Sequence, residues 1–220
     1  MIFYIITMKC AVVKTIAHHP GLDTGVYLRY NTITMENRNA AQLKSDLLAL
    51  LKKEAFKKGK FILSSGKESN FYLDGRIITM LPEGAYLVGS VILDMIKADK
   101  VDAFGGPTLG ADPIVGAVAA LSYIKGMPLK TFIVRKAAKE HGTGRQVEGP
   151  ALQAGMRVIL VDDVATSGKS LIEAKAVLDG MKVAVERAIV IVDRSEGARE
   201  NLQRAGIDLQ SIFTIADLGV

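Results

Sequence analysis

Four consecutive aliphatic residues, Val158-Ile159-Leu160-Val161, constrain this chain more than any other feature. A strand with one wet face alternates apolar and polar positions. An unbroken run is buried on both faces, which places it inside a parallel sheet with helices on either side. The run continues as Asp162-Asp163-Val164-Ala165-Thr166-Ser167-Gly168-Lys169-Ser170, and the apolar spacing of Leu171, Ala174, Val177 and Leu178 predicts a helix behind it. Backbone N–H groups at such a helix start, aided by hydroxyls and the positive end of the dipole, form a phosphate cradle. Two carboxylates beside that cradle suit a ligand carrying a phosphate and neighbouring hydroxyls, as a ribose 5-phosphate does. A Walker A loop does not fit, because it needs Gly five residues before Gly168 and the chain has Asp163 there.

The rest of the chain repeats the pattern. The leucines at 43, 47, 48, 50 and 51 mark one apolar face of a helix over 40–56. Two short strand-like pieces, Phe61–Leu63 and Phe71–Leu73, flank a polar turn, and Pro82 opens a helix through Ile96. Strands are predicted at Val101–Phe104, Lys130–Val134, Val158–Val161, Ala188–Val192 and Ile212–Ile215. Helices are predicted near Pro113–Leu121, after Ser170, and over Glu196–Ala205. Strand–helix alternation of this kind gives an α/β, doubly wound, mostly parallel sheet flanked by helices, with its site beyond the carboxyl ends of the strands. A small N-terminal hood over about 36–80 would precede a core over about 81–220.

Composition narrows the function classes. Of 220 residues, 49% are apolar and 23% charged, which is the balance of a soluble globular domain rather than a disordered chain. The net charge of +5 fits an anionic small substrate. No long Lys/Arg run with interleaved aromatics points to nucleic acid. Cys10 is the only cysteine, which excludes an internal disulfide and a Cys-rich metal site and agrees with a reducing cytoplasm. No apolar stretch reaches the roughly 18–20 residues of a membrane span. Residues 1–34 differ in character from the rest of the chain: Met1–Val13 is apolar without a basic n-region, and His18-His19-Pro20-Gly21 breaks any pattern. We expect Met35 to be the natural start and 35–220 to form a single domain, the alternative being an N-terminal arm that packs on the body.

The run around Asp162 resembles the signature of type I phosphoribosyltransferases, which use phosphoribosyl pyrophosphate (PRPP). That resemblance implies that Asp162 and Asp163 lie along the ribose hydroxyls. It also implies that Thr166, Ser167, Gly168, Lys169 and Ser170 form the 5-phosphate loop, with Val164 and Ala165 among the PRPP contacts. The segment Arg135-Lys136-Ala137-Ala138-Lys139-Glu140-His141-Gly142 is similar to the catalytic loop of orotate phosphoribosyltransferases, whose Arg-Lys-x-x-Lys-x-His-Gly pattern it meets at every fixed position. The resemblance assigns Arg135, Lys136, Lys139 and His141 to the pyrophosphate, with Lys139 and His141 catalytic beside Asp162 and Asp163. It implies a homodimer whose 135–145 loops reach into each other's sites. A mobile cationic lid of this kind would neutralise departing pyrophosphate while excluding water.

Three further segments carry the resemblance. Phe61–Asp74 is similar to the family's hood, and Phe71 and Tyr72 would offer the flat base an aromatic surface, although alone the pair reads as strand core. Arg194 matches the arginine used on orotate, where a guanidinium fork reads planar oxygens, and Thr166 would also touch the base. Gly105–Pro113 resembles the pyrophosphate loop, which implies contacts from Thr108, Leu109 and Gly110 and a cis peptide at Thr108–Leu109. Ser64 and Leu109-Gly110 stand where some members carry a lysine and a Tyr-Lys pair. The family's reaction takes orotate and PRPP to orotidine 5′-monophosphate and pyrophosphate in pyrimidine (UMP) biosynthesis. Mg²⁺ is expected to arrive with PRPP, held mainly by substrate oxygens rather than by a protein metal site. A purine or other-base phosphoribosyltransferase and a PRPP-sensing regulator that binds nucleic acid and has lost catalysis are the competing readings.

Overall fold

The computed structural model describes residues 38–62, 68–137 and 145–220. The expectations for residues 1–34, Met35, Ser64, Lys139 and His141 lie outside the described residues. Asn39–Val220 forms one compact unit.

Asn39 caps helix α1 (Ala40–Leu50) by accepting the Gln42 N–H at 2.9 Å. The apolar face continues, but the helix does not stay regular: Leu51–Ala55 widens into one π turn. That turn keeps both Leu51 and Ala55 buried while feeding the chain into β1 (Phe56–Ile62). β1 pairs antiparallel with β2 (Glu68–Leu73) as a separate two-stranded sheet, and both strands run longer than their apolar cores suggest. Then come α2 (Gly75–Thr79), α3 (Pro82–Ile96), β3 (Ala103–Pro107), α4 (Asp112–Ile124) and β4 (Lys130–Val134). A two-residue strand β5 (Val147–Glu148), β6 (Arg157–Ala165), α5 (Lys169–Gly180), β7 (Ala184–Asp193), α6 (Ala198–Arg204) and β8 (Leu209–Thr214) complete the body.

The main sheet has the order β5-β4-β3-β6-β7-β8, parallel throughout except for β5, which runs antiparallel to β4 at the edge. The two-residue period of β6 divides its side chains between two cores. Ile159 and Val161 pack with α1, α3 and α4 residues such as Leu47, Leu87 and Ile114. Val158 and Leu160 pack with Leu171, Ala174 and Leu178 of α5 and with Leu202 of α6. All four are fully buried. The doubly wound reading therefore holds, and β3 and β6 lie side by side where the strand order reverses. In such sheets that point is the ligand crevice. Among the described residues, no helix is long and apolar enough to cross a membrane.

Candidate active site

Strand β6 runs further than its aliphatic core, because Val164 and Ala165 still pair with Val192 and Asp193 of β7. Asp162 and Asp163 therefore lie within the strand rather than at its exit, and the turn 166–168 begins at its end. This makes the pair rigid. Asp162 is only 7% exposed. Its Oδ1 accepts the Asp163 N–H at 3.0 Å and its Oδ2 accepts the Ser170 hydroxyl at 2.8 Å. Asp163 Oδ1 accepts the Val164 N–H at 2.9 Å. Burial, then the neighbouring Asp163 charge, push the Asp162 carboxyl up to about 7, against the pull of the Ser170 hydroxyl. Burial raises Asp163 as well, opposed by the Val164 N–H and by Arg76.

Two glycines close on this pair. A Cβ on Gly75, at the start of α2, would lie 2.8 Å from the Cβ of Asp163. One on Gly110 would collide with Asp162 Oδ1 and lie 2.6 Å from Asp163 Oδ1. Gly110 belongs to the loop leaving β3, where the Thr108–Leu109 peptide is cis, as the resemblance implied. Thr108 donates its hydroxyl to Asp112 Oδ2 at 2.8 Å, and Leu109 is exposed. The loop thus sits directly over the carboxylates.

The turn after β6 is set by Gly168, at φ 76°, where a Cβ would also press to 2.9 Å from Leu202 of α6. Asn201 donates to the Ser167 carbonyl at 2.9 Å, so α6 braces the turn from behind. The opening N–H groups of α5 have no side-chain cap, and such groups can bind an anion. A cavity of about 450 Å³ is lined here by Lys136, Asp162 and Val164 together with the run Ala165–Leu171. Its Lys169 ammonium is well exposed and only loosely paired with Glu173, at 3.7 Å. Lys136 thus lines the same cavity as Asp162. Arg135 lies in the adjoining cavity with Ser170, tied to Glu148 at 3.3 Å.

A third cluster forms where β2 meets the end of β7. The Arg194 guanidinium, 6% exposed, stands over the Phe71 ring with 4.5 Å from its carbon to the centroid. Its Nε–H donates to Glu196 at 2.8 Å, while Nη2 is buried with no partner among the described residues. A buried cation covered on one face by an aromatic ring and left with an unmet donor is built for a planar acceptor. Tyr72 lies on the opposite face of β2, partly exposed and 5.6 Å from the Phe61 ring, so the strand's alternation brings Phe71 but not Tyr72 to Arg194. Thr166 is exposed at the cavity beside Asp162. Three features lay beyond sequence reasoning: the Ser170 bond to Asp162, the Glu196 bond to Arg194 and the tight seat of Gly110. Only the Gly-for-Lys departure at 110 hinted at any of them.

An acidic pair on β6 at the switch point, followed by a glycine turn into a helix, agrees with the phosphoribosyl transferase domain whose family model matches residues 80–210. The chain is 43% identical over 178 residues to an orotate phosphoribosyltransferase of Synechocystis, covering 81% of this chain and 89% of that one. It is 42% identical over 178 residues to one from Aquifex aeolicus, covering 80% and 97%. Among solved structures, the Mycobacterium tuberculosis orotate phosphoribosyltransferase in complex with PRPP has a TM-score of 0.68 at 29% identity, covering 81% of this chain and 99% of that one. The chain belongs to the orotate phosphoribosyltransferase family.

Proposed function

We propose that this chain transfers the 5-phosphoribosyl group from PRPP to orotate, yielding orotidine 5′-monophosphate and pyrophosphate for pyrimidine synthesis in the cytoplasm. The observation that carries the choice of base is the buried Arg194 guanidinium on Phe71 with its unmet Nη2 donor. In this reading, orotate N1, its proton released to the medium, forms a bond to the anomeric carbon as the bond to pyrophosphate breaks. The ribose passes through oxocarbenium character, and the fixed carboxylates of Asp162 and Asp163 favour that developing positive charge. The 166–170 turn holds the 5-phosphate, and Lys136, with Lys139 and His141 of the same loop, meets the departing pyrophosphate.

Mg²⁺ fits as an ion carried by PRPP on its own diphosphate and hydroxyl oxygens. Mg²⁺ often binds chiefly through substrate phosphates and water rather than a protein cage. When bound, it would neutralise diphosphate charge. We also propose a homodimer in which each 135–145 loop carries Lys139 and His141 into the partner's site, while Lys136 at its base lines the cavity of its own chain.

The test compares the wild type with Arg194→Ala for orotate consumption and for PRPP binding. The reading predicts that Arg194→Ala keeps PRPP binding while kcat/KM for orotate falls about a hundredfold or more. Unchanged orotate turnover in that variant would remove Arg194 from the base site.

A further inference from the structure

We propose that Glu196 is a positioning residue for base recognition. It holds Arg194 by Nε so that the guanidinium's Nη edge stays free for the base, and so governs base affinity without touching the base. The inference rests on the orotate reading above. A guanidinium carries five N–H donors in a planar fork. Here the Nε–H is committed to Glu196 at 2.8 Å and one face is laid on Phe71. The main chain is pinned by the Arg194 N–H bond to the Ala165 carbonyl at 2.9 Å. Those contacts leave the side chain few orientations, and they leave Nη2 buried and unpaired.

The turn beyond β7 makes the pairing possible. Ser195 takes a positive φ of 56° and donates its N–H to Asp193 Oδ1 at 2.9 Å, while Arg199 holds the other Asp193 oxygen at 3.5 Å. The tight turn returns residue 196 beside residue 194, although the two are adjacent-but-one in sequence. The carboxylate takes the Nε–H through one oxygen, Oε1, and does not reach around to Nη2, which stays unpaired. The bland alternative is that Glu196 merely neutralises a buried cation, and that alternative predicts a loss of stability shared by every substrate.

The experiment measures steady-state kinetics with orotate and PRPP varied separately, together with melting temperature, for Glu196→Ala, Glu196→Gln and Glu196→Asp. Alanine should raise the orotate KM about tenfold or more. The PRPP KM, and kcat at saturating substrates, should stay within about threefold of wild type. Glutamine keeps an acceptor at the same reach and should restore the orotate KM to within about threefold of wild type. Aspartate is one methylene short of Nε and should behave like alanine. If alanine fails to fold, the order of glutamine against aspartate decides. Unchanged orotate KM in alanine, equal losses for both substrates, or glutamine no better than aspartate each overturn the positioning role. Absence of orotate turnover in the wild type would instead sink the base-site reading on which the role stands.

Discussion

Asp162 is held in a place that costs the fold something. Its carboxyl, raised to about 7 by burial and by Asp163, keeps a proton in the folded chain that the unfolded chain has already released. Below the unfolded value near 4 both states are protonated. As pH rises from about 4 through about 7, the folded protein loses stability relative to the unfolded chain, by an amount of order a few kcal/mol. Asp162→Asn removes the charge and keeps the shape. It should raise the melting temperature of the free protein above pH 7, flatten that slope below it, and cut turnover by about a hundredfold or more. A melting curve series from pH 4 to 8 checks the first part, and an unchanged slope would contradict it. The ionised pair is the useful form, so kcat/KM for PRPP in the wild type should fall as pH drops through about 7. Gly110 gives a second expectation. Replacing it by the lysine that some relatives carry should lower kcat/KM for PRPP rather than raise it, because the Cβ would strike the acidic pair, an overpacking worth about 1–3 kcal/mol. A gain in kcat/KM for Gly110→Lys would contradict this. The acidic pair was legible in the sequence because four aliphatics and a small-residue turn bracket it. That Phe71 rather than Tyr72 meets Arg194 was not, since strand alternation assigns faces only once the pairing partner is known.

The parallel strands and their helices were largely readable, and the exceptions share a cause. β4 and α3 have the bounds their apolar runs imply, because those runs end in turn chemistry or at Pro82. β6 and β7 extend past their aliphatic cores because each strand's length is set by its neighbour's register, which composition does not encode. β5 has no apolar signature at all: two half-buried residues pair with Ile133 and Val134 at the sheet edge. The π turn of 51–55 likewise answers to packing rather than propensity. Strand β3 supplies a test at this scale. A Cβ on Gly106 would run into the Val161 carbonyl and come to 2.8 Å from Ala111. Gly106→Ala should therefore push β3 away from β6, destabilise by about 1–3 kcal/mol, and raise the PRPP KM because β3 delivers the Thr108–Gly110 loop. Denaturant midpoints and PRPP titrations would read the two effects. An unmoved midpoint would show that the strands are not so tightly joined.

At the scale of the molecule, the proposed dimer makes a prediction that no single chain can satisfy. If each 135–145 loop serves its partner, Lys139→Ala and Asp162→Asn chains, each nearly inactive alone, should complement when mixed and allowed to exchange. Random pairing gives half heterodimers, each with one intact site of two, so about a quarter of wild-type activity should return. A loop acting within its own chain would restore none. The choice of base sets this chain's chemistry apart, and turnover with PRPP and Mg²⁺ of orotate, uracil, xanthine, hypoxanthine, guanine and adenine, run side by side, reads it. Turnover of orotate alone, abolished by chelating Mg²⁺, is the expected result. Turnover of a purine would leave the sheet and the Asp162–Asp163 site standing and contradict the assignment of Phe71 and Arg194 to orotate.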